Sequence, residues 1–535
     1  MSRPITIDEV LSFPVAGVGE CHLSIDGKRV TYVHRGTITI FNLEKLQAEV
    51  SFEGNYPKWS PADPEALAFL KPDQSGVWIR RLDGTEWQLG ESIGEVEKSN
   101  WAINPSTFEW SMDGRFLAVV VEQDLEEEDT NAEDNGIVVV LPPVPTYASA
   151  LIILDVVTGQ VTFQTESDIG ESYENLAWHP SGDWVTVSSA KPRLTLGWRL
   201  FDINLTDGTK TDRIAPSIHE LGMMKWSPDG TKLALGYSPY DYKGDVRILG
   251  AMMEGNSETV HILNEEYFVG NVYWGGDSRK VFFDGLKGMS RHVFSVDTIS
   301  GRSEVLADQS GWSNLKGVSG DGRTVLFTFR GTQSLLHDAH VVSTDSGQVK
   351  SVTRFRDKLS DYELPNSEVV EWESYDGLML QGVIVPPLGK SMSSEYPTIV
   401  DLHGGPAESA AAFTFPSWCW WAAQGVQTFA PDFRGSQQYQ WVEPPTEEMD
   451  YRDVMSGIDW LASQGMCDKR RMGVYGYSYG AILGAYAIGK TPLFRAAVFA
   501  GGCYDKRAYA GSPDGEFYMP NCPPPVMLRM SRHRS

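Results

Sequence analysis

One phrase recurs seven times in the first two thirds of the chain and constrains the fold more than any other feature. Each copy places an aromatic or apolar residue before a short turn rich in Ser, Pro, Asp and Gly, and an alternating apolar strand follows. Asp-Gly supplies the positive-φ positions that a tight hairpin turn needs, and the alternation predicts a strand with one buried face. The copies are LSIDGKRVTYV at 23, WSPADPEALAFL at 59, WSMDGRFLAVV at 110, WHPSGDWVTVSS at 178, WSPDGTKLALGY at 226, WGGDSRKVFFDG at 274 and VSGDGRTVLFTF at 318.

The spacing of the copies indicates the architecture. The intervals are 36, 51, 68, 48, 48 and 44 residues, and the longest contains an acidic run at 122–136 that we expect to be a solvated loop. A period in the forties with several strands per unit is typical of a four-stranded propeller blade. Seven copies therefore predict a seven-bladed β-propeller over residues 1–355, with the head aromatics packed between blades. A β-sandwich array or a β-solenoid is the alternative, and the strand pattern excludes helical repeats.

The last third of the chain has a different pattern, from about residue 367 onwards. An apolar strand at 398–402 ends in HGGP, a second strand runs into FRGS, and the amphipathic segment DYRDVMSGIDWLASQG precedes a third strand. Strands that alternate with helices indicate a mostly parallel sheet wrapped by helices. We expect residues 356–535 to form an α/β-hydrolase domain with an incomplete doubly wound sheet.

The stretch GVYGYSYGA, residues 473–481, contains the candidate nucleophile. It places Ser478 between two glycines as G-x-S-x-G, which alone is a weak signal. Here an apolar strand precedes the motif and a helix of small residues follows it, which is the context of a nucleophile elbow. Gly476 and Gly480 leave room for the sharp turn, and the N-terminus of the following helix favours negative charge. We therefore predict that Ser478 is a nucleophile.

An acyl-transfer site also needs backbone N–H groups aimed at the oxyanion of the tetrahedral intermediate. We expect one from Tyr479 and the other from Gly405 in HGGP, a loop in which Gly404 also leaves the approach open. His403 precedes the nucleophile, whereas the chain order in this fold is Ser, then Asp or Glu, then His. We therefore expect His403 to shape the loop and not to act as the base.

A repeat propeller followed by this domain resembles the prolyl oligopeptidase family of serine peptidases, and most of all its acylaminoacyl-peptidase and dipeptidyl-peptidase V branch. HGGP, FRGS, DVMSGIDWL and GYSYGA occur in the family's order, and the resemblance covers nearly the whole chain. It implies that the propeller caps the active site and admits short peptides. It also implies that Ser478 forms the acyl-enzyme, that Tyr479 and Gly405 form the oxyanion hole, and that an aminoacyl, dipeptidyl or acylaminoacyl group is released. We expect Arg434, in FRGS, to be structural.

The histidine and the acid that such a site needs should follow Ser478. The only histidine there is His533, and the acids are Asp505, Asp514 and Glu516. In the family both groups lie on loops after two further strands, and none of these residues matches them. The chain is then a truncated or mis-spliced version of an active enzyme, a complete but inactive protein, or one half of a site that a partner chain completes.

Composition excludes several functions. A net charge of −26 argues against binding nucleic acid, and no segment approaches 18 apolar residues, so we expect no membrane span. Five scattered cysteines without a CxxC pair predict a reducing compartment, and the N-terminus lacks the apolar core of a signal peptide, so we expect a cytoplasmic protein. No motif indicates a metal or other cofactor. Two alternatives to a peptidase are a propeller scaffold with a vestigial hydrolase domain and an esterase on the same fold.

Overall fold

The computed structural model describes most of the chain up to Tyr504. The described residues are 3–12, 18, 20–72, 76–90, 101–124, 133–134, 137–138, 147–168, 171–190, 198–213, 218–239, 248–253, 259–261, 263, 267–405, 408–411, 415–437, 439 and 446–504.

Up to residue 351, the described strands form seven four-stranded antiparallel blades, each made from consecutive sequence. Five blades are separate sheets, and the last two are joined into one eight-stranded sheet by a parallel pairing of Arg291 with Trp312. The first blade contains β1 Cys21–Leu23, β2 Arg29–His34, β3 Thr37–Asn42 and β4 Gln47–Glu53, and the second contains β5 Asn55–Trp59, β6 Ala66–Leu70, β7 Val77–Arg81 and β8 Glu86–Leu89. The third contains β9 Trp101–Trp110, β10 Phe116–Asp124, β13 Tyr147–Asp155 and β14 Val161–Glu166. A small hairpin of β11 Glu133–Asp134 and β12 Ile137–Val138 lies between β10 and β13 in the chain. The fourth blade contains β15 Ser172–Trp178, β16 Trp184–Ala190, β17 Arg199–Asn204 and β18 Lys210–Asp212, and the fifth contains β19 Ile218–Trp226, β20 Lys232–Pro239, β21 Ile248–Met253 and β22 Thr259–His261. The sixth contains β23 Phe268–Trp274, β24 Lys280–Lys287, β25 Ser290–Asp297 and β26 Ser303–Ala307. The seventh contains β27 Gly311–Val318, β28 Thr324–Gly331, β29 Asp338–Ser343 and β30 Val349–Ser351.

The seven blades close into a ring. The first strand of each blade contacts the first strand of the next, and β1 contacts β27, so the seventh blade meets the first. Leu23 and Val30 pack there against Leu326 and Val341. This closed ring of four-stranded blades confirms the predicted seven-bladed propeller. The acidic run is only partly a loop, since it supplies the end of β10 and strand β11, while residues 125–132 and 135–136 lie outside the described part.

The repeated phrase builds both the turn and the contact between blades. In the fifth blade, Ser227 Oγ donates to Asp229 Oδ1 at 2.6 Å, Lys232 N–H donates to Ser227 Oγ at 3.0 Å, and Gly230 has a φ of 74°. The head tryptophans are buried, and in three blades the indole N–H donates to the carbonyl of the residue before the previous blade's head tryptophan. These bonds are Trp110 to Lys58 at 2.9 Å, Trp178 to Glu109 at 3.0 Å and Trp274 to Lys225 at 2.8 Å.

The residues that precede three of the head tryptophans also meet inside the ring. Glu109 Oε2 lies 3.2 Å from Lys58 Nζ, and its other oxygen pairs with Lys225. Glu109 and Lys225 belong to the third and fifth blades, which are not neighbours, so this pair spans the centre of the propeller. Burial alone would raise the pKa of Glu109, but the two ammonium groups outweigh it and lower the pKa to about 2.

The rest of the described chain forms a six-stranded sheet with helices on both faces. Its strands are β31 Glu368–Glu373, β32 Met379–Val385, β33 Thr398–Leu402, β34 Gln427–Pro431, β35 Met472–Tyr477 and β36 Phe494–Ala500, in the spatial order β31-β32-β34-β33-β35-β36. The helices are α1 Ile7–Ser12, α2 Pro416–Ala423, α3 Glu447–Ser463 and α4 Tyr479–Lys490, with a 3₁₀ helix at Phe355–Leu359. β33 to β36 pair in parallel, as expected for an α/β-hydrolase, whereas β31 and β32 are antiparallel. None of the described helices is long and apolar enough to cross a membrane.

Two apolar clusters hold this sheet. α3 and α4 cover one face, where Ile458 and Leu483 pack on Val400. On the other face Trp418, from α2, packs with Met289, which belongs to the sixth propeller blade. The propeller therefore contributes directly to the core beneath the hydrolase sheet.

The N-terminal segment lies against residues that follow the propeller and not in a blade. Arg3 N–H donates to the Asp361 carbonyl at 2.9 Å, and Glu363 N–H donates to the Arg3 carbonyl at 2.8 Å. Tyr362 Oη also donates to Glu9 at 3.0 Å. These bonds tie the start of the described chain to the segment that connects the two sheet systems.

Candidate active site

Ser478 occupies the sharp turn between β35 and α4. Its backbone has φ 52° and ψ −118°, a conformation that residues other than glycine rarely adopt, and its side chain is half-buried. Ser478 N–H donates to the Ala500 carbonyl of β36 at 2.9 Å, which anchors the turn. A strained serine between a strand and a helix is the geometry of a nucleophile elbow.

Both glycines of the motif touch backbone that a side chain would displace. A Cβ on Gly476 would lie 2.2 Å from the Gly480 carbonyl oxygen. A Cβ on Gly480 would lie 2.0 Å from the Leu402 carbonyl oxygen and 2.6 Å from that of His403. The turn can therefore be this tight, and α4 can lie this close to β33, only because both positions lack a side chain.

The glycine loop and the elbow lie side by side because β33 and β35 pair in parallel, with Leu402 opposite Gly476. A Cβ on Gly404 would lie 3.4 Å from Ser478 Cβ, and Gly405 has a φ of 106°, a region that favours glycine. The structure thus brings the predicted loop and the predicted nucleophile together at the ends of adjacent strands.

His403 is held as a neutral ring within the loop. Its Nδ1 lies 2.7 Å from the Gly404 carbonyl, which can only accept, so Nδ1 carries the proton. Nε2 then accepts from Ser436 Oγ at 2.8 Å, and the ring stacks on Phe433 at 4.3 Å. Burial lowers the pKa of His403 to about 4. Both nitrogens are therefore engaged in bonds that shape the loop.

Three buried aspartates, which the sequence reading did not select, organise the loops around Ser478. Asp450 on α3 accepts from Tyr479 Oη and, at 3.2 Å, from Gly435 N–H, and burial raises the pKa of Asp450 to about 7. Asp432 accepts from Ser409 Oγ at 2.8 Å. These bonds fasten the start of α4 and the segment after HGGP to the same region of the domain.

The third aspartate, Asp453, binds Arg434 of FRGS. Arg434 donates to it from its backbone N–H at 2.9 Å and from Nε and Nη2 at 2.8 Å, and Nη1 reaches Asp376 at 2.9 Å. Ser374 Oγ adds a hydrogen bond to Asp453 at 2.5 Å. Arg434 thus crosslinks three segments of the domain, which is a structural arrangement.

The described chain after Ser478, residues 479–504, contains no histidine, aspartate or glutamate. The acids Asp505, Asp514 and Glu516 and the histidine His533 lie outside the described residues. Within the described part, no group of three or more His, Cys, Asp or Glu side chains could hold a metal ion. Among the described residues, the site therefore consists of the elbow, the glycine loop and the side chains that support them.

The closed β-propeller, the six-stranded α/β sheet and the nucleophile elbow at Ser478 together define the class of the protein, an α/β-hydrolase that carries a β-propeller. The comparisons are more specific: residues 413–522 match the prolyl oligopeptidase family model. This match confirms, for that part of the chain, the resemblance drawn from the motifs.

Two curated relatives match parts of the chain. The "Uncharacterized peptidase YuxL" of Bacillus subtilis is 30% identical over 156 residues, which cover 28% of this chain and 24% of the relative. The mouse acylamino-acid-releasing enzyme is 24% identical over 247 residues, which cover 42% of this chain and 33% of the relative. The matches thus span between a quarter and a third of these relatives.

Solved structures share the fold over nearly the whole chain. Pyrococcus horikoshii acylaminoacyl peptidase has a TM-score of 0.76 at 22% identity, covering 96% of this chain and 82% of that one. A puromycin-hydrolyzing peptidase of Mycobacterium tuberculosis has a TM-score of 0.67 at 15% identity, covering 100% of this chain and 85% of that one. An acylaminoacyl peptidase in complex with Z-Gly-Gly-Phe-chloromethyl ketone has a TM-score of 0.75 at 21% identity, covering 95% and 81%.

Proposed function

We propose that the protein is a serine peptidase of the prolyl oligopeptidase type that cleaves short peptides through an acyl-enzyme on Ser478. The observation that carries the proposal is the strained backbone of Ser478, with Gly404 packed against its side chain. Strain of this kind persists only where the surrounding structure enforces it, and such positions cluster at active sites. The family match of residues 413–522 supports the same activity.

In the proposed mechanism Ser478 Oγ gives its proton to a general base and attacks the carbonyl carbon of the scissile bond, and the carbonyl oxygen becomes the oxyanion. The C–N bond then breaks, the amine leaves with that proton, and water hydrolyses the acyl-enzyme that remains. Tyr479 N–H opens helix α4, where backbone N–H groups have no partner within the helix, so it is available to the oxyanion. Gly405 N–H is the second donor that we assign. Each such donor contributes about 3 kcal/mol to stabilising the transition state in other serine peptidases. We assign the general base and its orienting acid to none of the described residues.

Short peptides are the proposed substrates because the propeller packs on the hydrolase domain through Met289 and because a related acylaminoacyl peptidase binds a tripeptide chloromethyl ketone. We place the boundary between the domains at residues 355 and 356. We further propose that the protein acts in the cytoplasm, since cysteines Cys21, Cys419 and Cys467 are free and buried.

The test is hydrolysis of a p-nitroanilide panel: alanine p-nitroanilide, glycyl-proline p-nitroanilide and N-acetyl-alanine p-nitroanilide, with p-nitrophenyl acetate as the ester. Ser478→Ala is the matched control. We expect amide cleavage that the variant loses. Ester cleavage without amide cleavage would favour the esterase, and equal rates for the variant would reject Ser478 as the nucleophile.

A second candidate, a catalytically inactive scaffold, is favoured by one observation: residues 479–504 contain no histidine, aspartate or glutamate. Removing members of a catalytic triad leaves only the weak catalysis of the oxyanion hole and substrate binding. The scaffold interpretation predicts no amide cleavage and no labelling of Ser478 by a fluorophosphonate beyond the Ser478→Ala background.

A further inference from the structure

A carboxylate that the motif analysis did not select lies beside the proposed nucleophile. A Cβ placed on Gly404 would lie 3.3 Å from Glu408 Oε2 and 3.4 Å from Ser478 Cβ. The Glu408 carboxylate and the Ser478 side chain therefore border the same small space, on the side of the glycine loop.

The backbone around Glu408 is fixed by hydrogen bonds. The Glu408 carbonyl accepts from Gln437 N–H at 2.9 Å. Asp432, which is fully buried, accepts from Ser409 Oγ at 2.8 Å and from Ala410 N–H at 2.7 Å. The position of Glu408 next to the elbow thus follows from buried polar contacts of its own segment.

The carboxylate itself has no cationic partner in the described part of the chain. The guanidinium of Arg434, in FRGS, is engaged by Asp453 and Asp376. An unpaired surface glutamate is ordinary elsewhere, but a negative charge beside a developing oxyanion opposes the reaction. A substrate that brings a positive charge to this space removes the conflict.

We propose that Glu408 is a specificity-determining residue that selects substrates whose acyl group carries a free α-ammonium. The inference rests on the proposed function and deepens it, since it favours release of a single aminoacyl group over release of an acylaminoacyl group. The α-ammonium lies two bonds from the carbonyl carbon that Ser478 attacks, so binding for attack brings it into the space that Glu408 borders. An N-acylated substrate leaves Glu408 unpaired, and this unfavourable element adds to the selectivity.

The test compares phenylalanine p-nitroanilide with its N-acetyl derivative at pH 6, where the amine is protonated. For the wild type we expect higher kcat/KM on the free amine. Glu408→Gln should reduce kcat/KM on the free amine by about tenfold, mainly by raising KM, because the ion pair already forms when the substrate binds. The same variant should leave kcat/KM on the N-acetyl substrate unchanged or higher. Glu395→Gln, which removes an exposed glutamate elsewhere in the domain, is the matched control and should change neither rate. An unchanged preference in Glu408→Gln would overturn the inference.

A binding measurement separates this inference from the proposed function. Calorimetry on Ser478→Ala compares phenylalaninamide with N-acetyl-phenylalaninamide and needs no chemistry at the serine. We expect tighter binding of the amine, lost when Glu408→Gln is added. If neither p-nitroanilide is cleaved but this preference is present, the proposed function fails and the role of Glu408 stands. Equal binding of the two amides would reject the role of Glu408 whatever the activity.

Discussion

Helix α4 contains three glycines that differ in what a side chain would meet, and together they test the packing of the elbow. A Cβ on Gly480 would lie 2.0 Å from the Leu402 carbonyl oxygen, whereas a Cβ on Gly484 would lie 2.3 Å from the ring of Phe499. Around Gly489 there is nothing within 4 Å. Alanine at the three positions therefore introduces the same methyl group against rigid backbone, against a movable ring and into open space.

The expected effects follow from these contacts. Gly489→Ala should raise the free energy of unfolding by up to about 1 kcal/mol, because alanine loses less backbone entropy than glycine in a helix. Gly484→Ala gains the same term but must displace Phe499, and overpacking of this kind costs about 1–3 kcal/mol. Gly480→Ala should cost at least about 3 kcal/mol, because the conflict is with the backbone of the glycine loop and cannot be relieved by a rotamer change.

Urea unfolding and fluorophosphonate labelling of Ser478 measure the two consequences. We expect stability to fall in the order Gly489→Ala, Gly484→Ala, Gly480→Ala, with labelling retained in the first and lost in the last. If Gly480→Ala unfolds at the same urea concentration as Gly489→Ala and is labelled equally fast, the close packing of α4 on the glycine loop is wrong.

Three further predictions concern titratable groups. Glu109→Gln should lower the free energy of unfolding by about 1–3 kcal/mol at pH 7, because two lysines lose their shared carboxylate. The pairing lowers the pKa of Glu109 from 4.5 to about 2, so its contribution to stability is present above pH 4.5 and is lost as the pH falls towards 2. Urea unfolding should therefore show a smaller difference in the free energy of unfolding between variant and wild type at pH 3 than at pH 7. An equal difference at the two pH values would contradict the pairing. Burial raises the pKa of Asp450 from 3.8 to about 7, so between these pH values the folded state keeps a proton that the unfolded state releases, and this contribution is lost as the pH rises from about 4 through 7. Asp450→Asn should flatten the decline in stability between pH 4 and pH 7, whereas the same slope in both proteins would argue against a buried neutral Asp450. Burial lowers the pKa of His403 to about 4, so His403→Gln should slow labelling of Ser478 but leave the pH midpoint of labelling unchanged, and a shifted midpoint would mean that His403 titrates with the reaction.

The propeller could be predicted because its signal is local and repeated. The Ser-x-Asp-Gly turn forms within six residues, as the bonds of Ser227 to Asp229 and Lys232 show. The bridge from Glu109 to Lys225 could not be predicted, because it depends on which residues of non-neighbouring blades face the centre of the ring. The expectation that the acidic run is a solvated loop is wrong at its start, because β10 extends to Asp124 through pairing with β13.

The elbow could also be predicted from the sequence. A side chain at Gly476 or Gly480 would conflict with backbone that is only a few residues away or on the adjacent strand, so the motif itself requires glycine at both positions. The aspartates of α3 were missed, because their partners are distant in the chain: Asp453 binds Ser374, 79 residues away. The sequence does contain a signal for these aspartates. Asp450 and Asp453 lie on the same buried face of the helix as the apolar residue Ile458, where a carboxylate needs a buried partner.

The proposed function depends on Ser478 being a nucleophile placed by the elbow and the glycine loop. The most direct test is to treat the protein with a fluorophosphonate and to locate the adduct by mass spectrometry of its peptides, with Ser478→Ala in parallel. We expect a single adduct on Ser478 that is absent from the variant. An unmodified Ser478, or equal modification of the variant at other residues, would contradict it.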